Sequence, residues 1–444
     1  MAEDSPYVPL GPWPFGINNV DELQSSPFQP GEQGAQLRTA TNVDIDRGGY
    51  LKRRKGRTKK LELTDGRALF AVDRRLAVVD AGDLILVDPN GWFAETLISE
   101  LPDEPFVFTE YGGSLWWLCG DQRGRFENTA LTTWGLPTPF LLNTQSTPYG
   151  SLPAGRYLVT ATIERNNLES GAPHPSLVEL HEPGGIELFL GAVPLDATVN
   201  LYCSDPDGTL VYFARQVLAG APYIIEQRPT TEPLDLMGAY PPPAGQVLVG
   251  FSGRLLIGAG NLLYWSLPGA YHHWRIGLDV QLFPDRITMI APLEEGFYVG
   301  TEREVYWIGG NDPENWEPRR VDTQPAFEGS SLRLDGRKFP GLEFPGAVQC
   351  WMSTDGLAAG MPDGMTRHFT HGRLSIKPHQ KASLAYREEE GVRQVLAALQ
   401  NQKSANPFGA SDRATCRIIR GIPSPLVAAA EPLTVSDTAS CQIT

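Results

Sequence analysis

Val247-Leu-Val-Gly-Phe-Ser-Gly-Arg-Leu-Leu-Ile-Gly-Ala-Gly-Asn-Leu-Leu-Tyr-Trp265 and Ile287-Thr-Met-Ile-Ala-Pro-Leu-Glu-Glu-Gly-Phe-Tyr-Val-Gly-Thr-Glu-Arg-Glu-Val-Tyr-Trp-Ile308 carry one pattern twice. Apolar runs of three or four residues are cut by Ser252-Gly253, by Gly258-Ala-Gly-Asn261, by Glu294-Glu-Gly296 and by Arg303-Glu304. Such runs are too short for helices and end in turn formers, so each reads as strand, tight turn, strand, tight turn, strand. The two copies start 40 residues apart, at Val247 and Ile287. Weaker copies precede them. Residues 68–72, 76–79 and 84–87 form one, and 106–108 and 115–118 form another, with starts 38 residues apart. That spacing is close to the four-stranded blade period of a propeller. The expectation is an all-β chain built as a β-propeller, with a plain β-sandwich as the competing arrangement.

Composition points the same way. Gly 46 and Pro 38 make up about 19% of the 444 residues, where usage averages about 12%. Both interrupt helices and favour turns. The hydrophobic fraction of 41% and aromatic fraction of 9% are ample for a large core. No run of 12 or more residues keeps helical apolar spacing. The best helix candidate, residues 386–402, reads equally as a hairpin around Glu390-Gly391. The start has no basic and apolar leader, and no apolar run reaches membrane-spanning length. Five scattered cysteines (Cys119, Cys203, Cys350, Cys416, Cys441) without a CxxC pair fit reduced thiols better than a disulfide framework. The expectation is a soluble protein made in a cytoplasm.

Charge is uneven. Arg47, Lys52, Arg53, Arg54, Lys55, Arg57, Lys59 and Lys60 fall within residues 47–60 without one acid. Setting these eight apart from the 37 basic residues leaves 29 against 52 acidic, a balance of −23. A body of that sign repels phosphate. The basic block is therefore the candidate surface for DNA or for an acidic neighbour, against the plain alternative of a solvated turn.

The domain reading has three parts. Residues 1–46 form an extended arm, because Pro12-Trp-Pro-Phe-Gly16 joins large aromatics to stiff backbone; Trp13, Phe15 and Phe28 are its candidate inter-subunit contacts. Residues 47–149 and 234–444 form the propeller. Residues 150–233, bracketed by proline-rich segments, break the blade rhythm. There Tyr157, Val159, Ala161 and Ile163 alternate with more polar neighbours, as in a half-buried strand, and Asp205-Pro-Asp-Gly208 marks a turn. This segment reads as an inserted small sandwich of fibronectin type III or immunoglobulin kind.

Catalytic and metal patterns are weak. Ser353-Thr-Asp355-Gly356 resembles part of the Asp-box turn of sialidase-like propellers but lacks its aromatic, and reads as a structural turn. His272-His273 and His368-Phe-Thr-His371 supply at most two zinc ligands each, where three protein ligands are the minimum. Asp44-Ile-Asp46 opens like a calcium loop but has no Glu at the twelfth position, so it too reads as a turn. No nucleophile-elbow, phosphate-loop, metalloprotease or dinucleotide motif stands in its proper setting. The expectation is a non-enzyme without a cofactor.

Three stretches carry a family resemblance. Gly16-Ile-Asn-Asn19 followed by Ala40-Thr-Asn-Val-Asp-Ile-Asp-Arg-Gly-Gly-Tyr-Leu-Lys-Arg-Arg-Lys-Gly56 resembles the opening of phage and prophage virion proteins that leads into a propeller. The segment 287–308 looks like one of their blades, and Ala385-Tyr-Arg-Glu-Glu-Glu-Gly-Val-Arg-Gln-Val-Leu-Ala397 is similar to their C-terminal segment. Within that group, size and layout look like the tail hub or nozzle proteins of short-tailed phages, also called DNA-stabilisation proteins. The resemblance implies a ring of copies of the chain, six in number, below the portal and adaptor in the virion tail. Such a ring would extend the DNA channel, help retain the genome, and hold needle, spike or fibre proteins. The alternative is a peripheral tail protein that docks fibres or binds a receptor.

Overall fold

The computed structural model describes residues 18–20, 37–41, 43–45, 50–53 and 60–400, apart from 73, 128–129, 192, 340–341, 343, 379–380 and 390–391. It also describes the short strands Ala414–Ile418, Leu433–Val435 and Ala439–Ile443. The described residues contain no α-helix, only strands, turns and two 3-10 turns at Pro313–Asn315 and Gly336–Lys338. The chain is all-β. Two compact units account for it, residues 61–287 and residues 1–60 with 288–444.

Five four-stranded antiparallel sheets recur, each a simple meander in chain order, which is the blade form of a propeller-like fold. Sheet 1 is Gly66–Val72, Arg75–Asp80, Asp83–Asp88 and Phe93–Ile98. Sheet 2 is Phe106–Tyr111, Ser114–Cys119, Gln122–Glu127 and Ala130–Thr133. Sheet 3 is Val247–Phe251, Arg254–Ala259, Leu262–Trp265 and Val280–Leu282. Sheet 4 is Ile287–Pro292, Gly296–Thr301, Val305–Gly309 and Arg319–Asp322. Sheet 5 is Leu332–Asp335, Ala347–Ser353, Gly356–Gly360 and Thr366–His368. The inner strands are the ones the sequence marks. The fourth strands are short or polar and carry no comparable signal.

In the unit 61–287 the second strand of sheet 2 explains the packing. All six residues of Ser114–Cys119 are buried. Because side chains alternate across a strand, Leu115, Trp117 and Cys119 join Phe70, Leu84 and Leu86 of sheet 1. Trp116 and Leu118 join Leu248, Leu255 and Ile257 of sheet 3. The strand is apolar on both faces because both faces are covered. Phe70, Phe106 and Trp117 stack in sequence, with centroids 5.6 and 5.4 Å apart and planes within 14° and 12°.

Residues 141–225 depart from the meander. Leu141–Leu152, Gly184–Leu190 and Tyr223–Ile225 make a three-stranded sheet; Gly155–Arg165, Thr198–Ser204 and Val211–Leu218 lead a five-stranded one. Tyr157, Val159, Ala161, Leu201 and Cys203 from one and Ile186, Leu188 and Ile225 from the other belong to a single buried cluster. The strand Gly155–Arg165 was expected to be half-buried; instead Thr160 and Thr162 on its second face are fully buried as well. Thr160 Oγ1 donates to the Pro173 carbonyl (2.9 Å) and Thr162 Oγ1 to Glu169, so a covering loop satisfies the hydroxyls that sequence alone assigns to solvent.

In the other unit, sheets 4 and 5 share a core of Met289, Tyr298, Val305, Trp307, Trp351 and Ala358. The opposite face of sheet 5 (Val348, Cys350, Ala359) packs on Leu384 and Val395. Those two residues sit on the paired strands Lys381–Glu389 and Val392–Gln400, so the described part of the ambiguous stretch at 386–402 is strand and not helix.

One device recurs in both units. Tyr111 of sheet 2 lies over Gly250 of sheet 3, where an added Cβ would come 2.1 Å from its ring, and its hydroxyl accepts from the Gly253 N–H at 2.6 Å. Tyr298 of sheet 4 lies over Gly360 of sheet 5, at 2.4 Å from such a Cβ, and its hydroxyl donates to the Met361 carbonyl at 2.6 Å. Gly250→Ala and Gly360→Ala are each expected to cost about 1–3 kcal/mol through overpacking, seen as a lower urea midpoint. Gly277→Ala, where an added Cβ meets nothing within 4 Å, should stay within about 0.5 kcal/mol of the parent. Equal midpoints for all three would show that the rings do not clamp the sheets.

Candidate functional site

The basic block begins on a short hairpin in which Val43–Ile45 pairs with Leu51–Arg53. Lys52 and Lys60 are exposed. Arg53 ends the second strand, while Arg47, Arg54, Lys55, Arg57 and Lys59 lie outside the described residues, as do Trp13, Phe15 and Phe28 of the arm. Asp44 is a strand residue here and not part of a turn. Its carboxylate accepts from the Arg387 guanidinium at 3.0 Å, and Arg387 also donates to Gln394 across its own hairpin. Asp44 is 19% and Arg387 32% exposed, which puts this pair above an ordinary surface bridge in worth. It ties the base of the basic hairpin to a segment 343 residues away.

Asn18 and Asn19 form a second tie in the same unit. Asn18 is buried. Asn19 donates its backbone N–H to the Arg373 carbonyl (2.9 Å) and its side-chain amide to the Ser375 carbonyl (3.1 Å), and its side-chain oxygen accepts from the Ser375 N–H (2.8 Å). An asparagine amide has one acceptor and two donors, so here it imitates a neighbouring strand.

His272 and His273 lie in one unit, and His368 and His371, with ring centroids 6.5 Å apart, lie in the other. His368 Nε2 meets Asp322 Oδ2 at 2.6 Å, linking the last strands of sheets 4 and 5. His371 Nδ1 meets Asp355 at 2.8 Å. The hydrogen bond to Asp322 raises the His368 pKa, with burial opposing it. His272 is the reverse case. Burial, helped by Arg125 and His273, pushes its pKa down to about 4, and its Nδ1 accepts from the Gly135 N–H. Among the described residues no three His, Cys, Asp or Glu come together as metal ligands do. Cys119, Cys203 and Cys350 are buried free thiols, and burial raises the pKa values of Cys203 and Cys350 to about 12.

Ser353-Thr-Asp355-Gly356 is a hairpin turn. Ser353 Oγ donates to the Gly356 carbonyl and accepts from the Asp355 N–H, and Gly356 has φ +87°. Glu169 Oε1 accepts from Thr162, Asn200 (3.1 Å) and Tyr202 (2.9 Å), an anchoring role inside the five-stranded sheet. Sequence reasoning missed this carboxylate and the Asp44–Arg387 and His368–Asp322 pairs, because each joins residues distant in the chain.

No protein-family model matches the chain, and no curated protein matches it. Solved structures similar to it include the extracellular domain of a hybrid two-component system from B. thetaiotaomicron (11% identity, TM-score 0.35). That match covers 76% of this chain and a third (33%) of the other. BBS1N, solved in complex with ARL6DN, is 9% identical with TM-score 0.32, covering 76% and 91%. Apo AztD from Citrobacter koseri is 13% identical with TM-score 0.28, covering 76% and 90%. At such values these likenesses identify no family.

The two histidines predict opposite pH effects. A proton on His368 is favoured in the folded chain, so its contribution is full below pH 6.5 and is lost as pH rises through its raised pKa. His272 is kept neutral, so its burial costs stability as pH falls from 6.5 towards about 4. Denaturation midpoints of the parent, His368→Gln and His272→Gln across pH 4 to 8 check this. The His368 variant should converge on the parent at the alkaline end, and the His272 variant should lose less at the acid end; parallel curves contradict it.

Proposed function

We propose that the chain is a structural subunit of a bacteriophage tail, one copy of a hub or nozzle ring that extends the DNA channel and helps retain packaged DNA. What supports this reading is that the separately recognised stretches meet in one unit. Asn19 of the Gly16–Asn19 motif pairs with residues 373–375, and Asp44 of the Asn-Val-Asp motif pairs with Arg387 of the C-terminal segment. Residues that resemble one family's opening and ending thus depend on one another physically. Rigid meander sheets suit head-to-tail packing in a ring. The basic block, of which Lys52 and Arg53 lie on a hairpin held by Asp44, is the part that would face DNA or an acidic neighbour. Other copies of the chain, a portal or adaptor, and a needle, spike or fibre are the partners of this reading, and the virion tail is its place. On this reading Trp13, Phe15 and Phe28 of the arm 1–46 reach a neighbouring copy, while Asn19 and Asp44 hold that segment to its own chain, and 150–233 is an inserted fibronectin- or immunoglobulin-like sandwich.

The alternative, a peripheral protein that docks fibres or binds a receptor, has its own observation. The chain carries no charged residue from 128 to 155, and within that span Phe140, Leu142 and Tyr149 are 70%, 60% and 71% exposed. An exposed uncharged strand of this kind is a natural contact surface.

Quantitative mass spectrometry of purified virions should find the chain at about six to twelve copies per particle. Particles in which Lys52, Arg54, Lys55 and Lys59 are replaced by Gln should assemble but lose DNA faster than the parent, by a margin that narrows as salt rises. Absence of the chain from virions overturns the reading. Full retention by the Gln variant moves the basic block from DNA to a protein contact.

A further inference from the structure

The unit 61–287 contains an open cavity of about 460 Å³ at the outer edge of sheet 2, a volume within the range that small ligands occupy. Ile98, Leu131 and Trp134 give it apolar walls; Arg123, Thr133 and Asp121 supply polar groups. Arg123 is the unusual member. One of its terminal nitrogens donates to the Pro242 carbonyl, which fixes the guanidinium in place. Burial lowers its pKa from the usual value, with only the nearby Asp121 charge opposing. A partly desolvated cation of this kind gains most from an anion that shares its fork geometry.

Trp117 completes the wall. Its indole lies over Gly124 of the next strand, where an added Cβ would come within 2.8 Å of the ring, and its Nε1–H is shielded from water without an acceptor. Gly124 pairs in turn with Thr133 on the edge strand. Trp117 and Trp134 are only 3% and 1% exposed, so neither offers a ring face for stacking a sugar. The chemistry is a fixed cation beside aliphatic and indole edges.

We propose that this cavity binds a small organic carboxylate with an apolar body, its carboxylate on Arg123 and its apolar part against Ile98 and Leu131. The ligand would be either a free acid or the carboxylate end of a polypeptide. The inference is independent of the tail-ring reading, since every residue involved lies in one unit.

The test follows the indole N–H signals of the full-length protein by NMR while titrating phenylacetate, its neutral amide, and N-acetyl-L-leucinate as a chain-end mimic. A saturable shift at the Trp117 and Trp134 signals with the acids, and at least about tenfold weaker binding of the amide, is expected. Leu131 is exposed, so Leu131→Glu and Leu131→Lys should fold normally. Glu is expected to weaken phenylacetate about tenfold, and Lys to tighten it. Arg123→Gln should lose about 10- to 100-fold. Tighter binding of phenylacetate supports a free acid, and tighter binding of N-acetyl-leucinate supports a chain end. No saturable shift at millimolar acid, equal binding of acid and amide, or equal affinity in the two Leu131 variants overturns the proposal.

Discussion

The constraint on which the described architecture rests is that the inner sheets must be apolar on both faces and still approach closely. Ser114–Cys119 shows the demand in six residues, with one side chain set in the sheet 1 core and the other in the sheet 3 core. Large rings fill such a space only where the opposing backbone gives way. Gly250 under Tyr111 and Gly360 under Tyr298 are those places. In each case the ring supplies apolar contact and the hydroxyl reaches backbone on the neighbouring sheet. Glycine, which weakens an isolated strand, here permits the packing that stabilises it.

The all-β class and the inner strands were legible because short apolar runs and Gly-rich turns are local signals. The fourth strands were not. Phe93–Ile98 is mostly exposed and Arg319–Asp322 is charged, so neither shows an apolar pattern. Sheet 5 escaped because the loop after Asp322 and the 3-10 turn at Gly336–Lys338 break the spacing. The second face of Gly155–Arg165 could not be foreseen, since its cover comes from the loop around Pro173. Glycine offered the best unused clue. Gly124, between Arg123 and Arg125 in a strand, marks the place where the Trp117 indole crosses.

The candidate site was legible only as composition. Eight basic residues in an acidic chain announce themselves, but the Asp44–Arg387 pair that anchors the hairpin bearing Lys52 and Arg53 spans 343 residues and has no local signature. The same holds for Asn19, whose amide takes the role of a strand partner for residues 373–375. Of these ties, Asp44–Arg387 joins two of the stretches on which the resemblance was drawn. The histidines do different things: His368 pairs with Asp322, which raises its pKa, and burial lowers the pKa of His272.

The ring-building role proposed for these sheets is open to direct observation. Electron microscopy of the purified full-length chain, alone and with the portal-bearing particle, tests it most directly. Closed rings of copies with an axial channel, seated at the tail vertex of the particle, are the expected result. A chain that stays monomeric in both settings, or that decorates the particle only at its periphery, would contradict it.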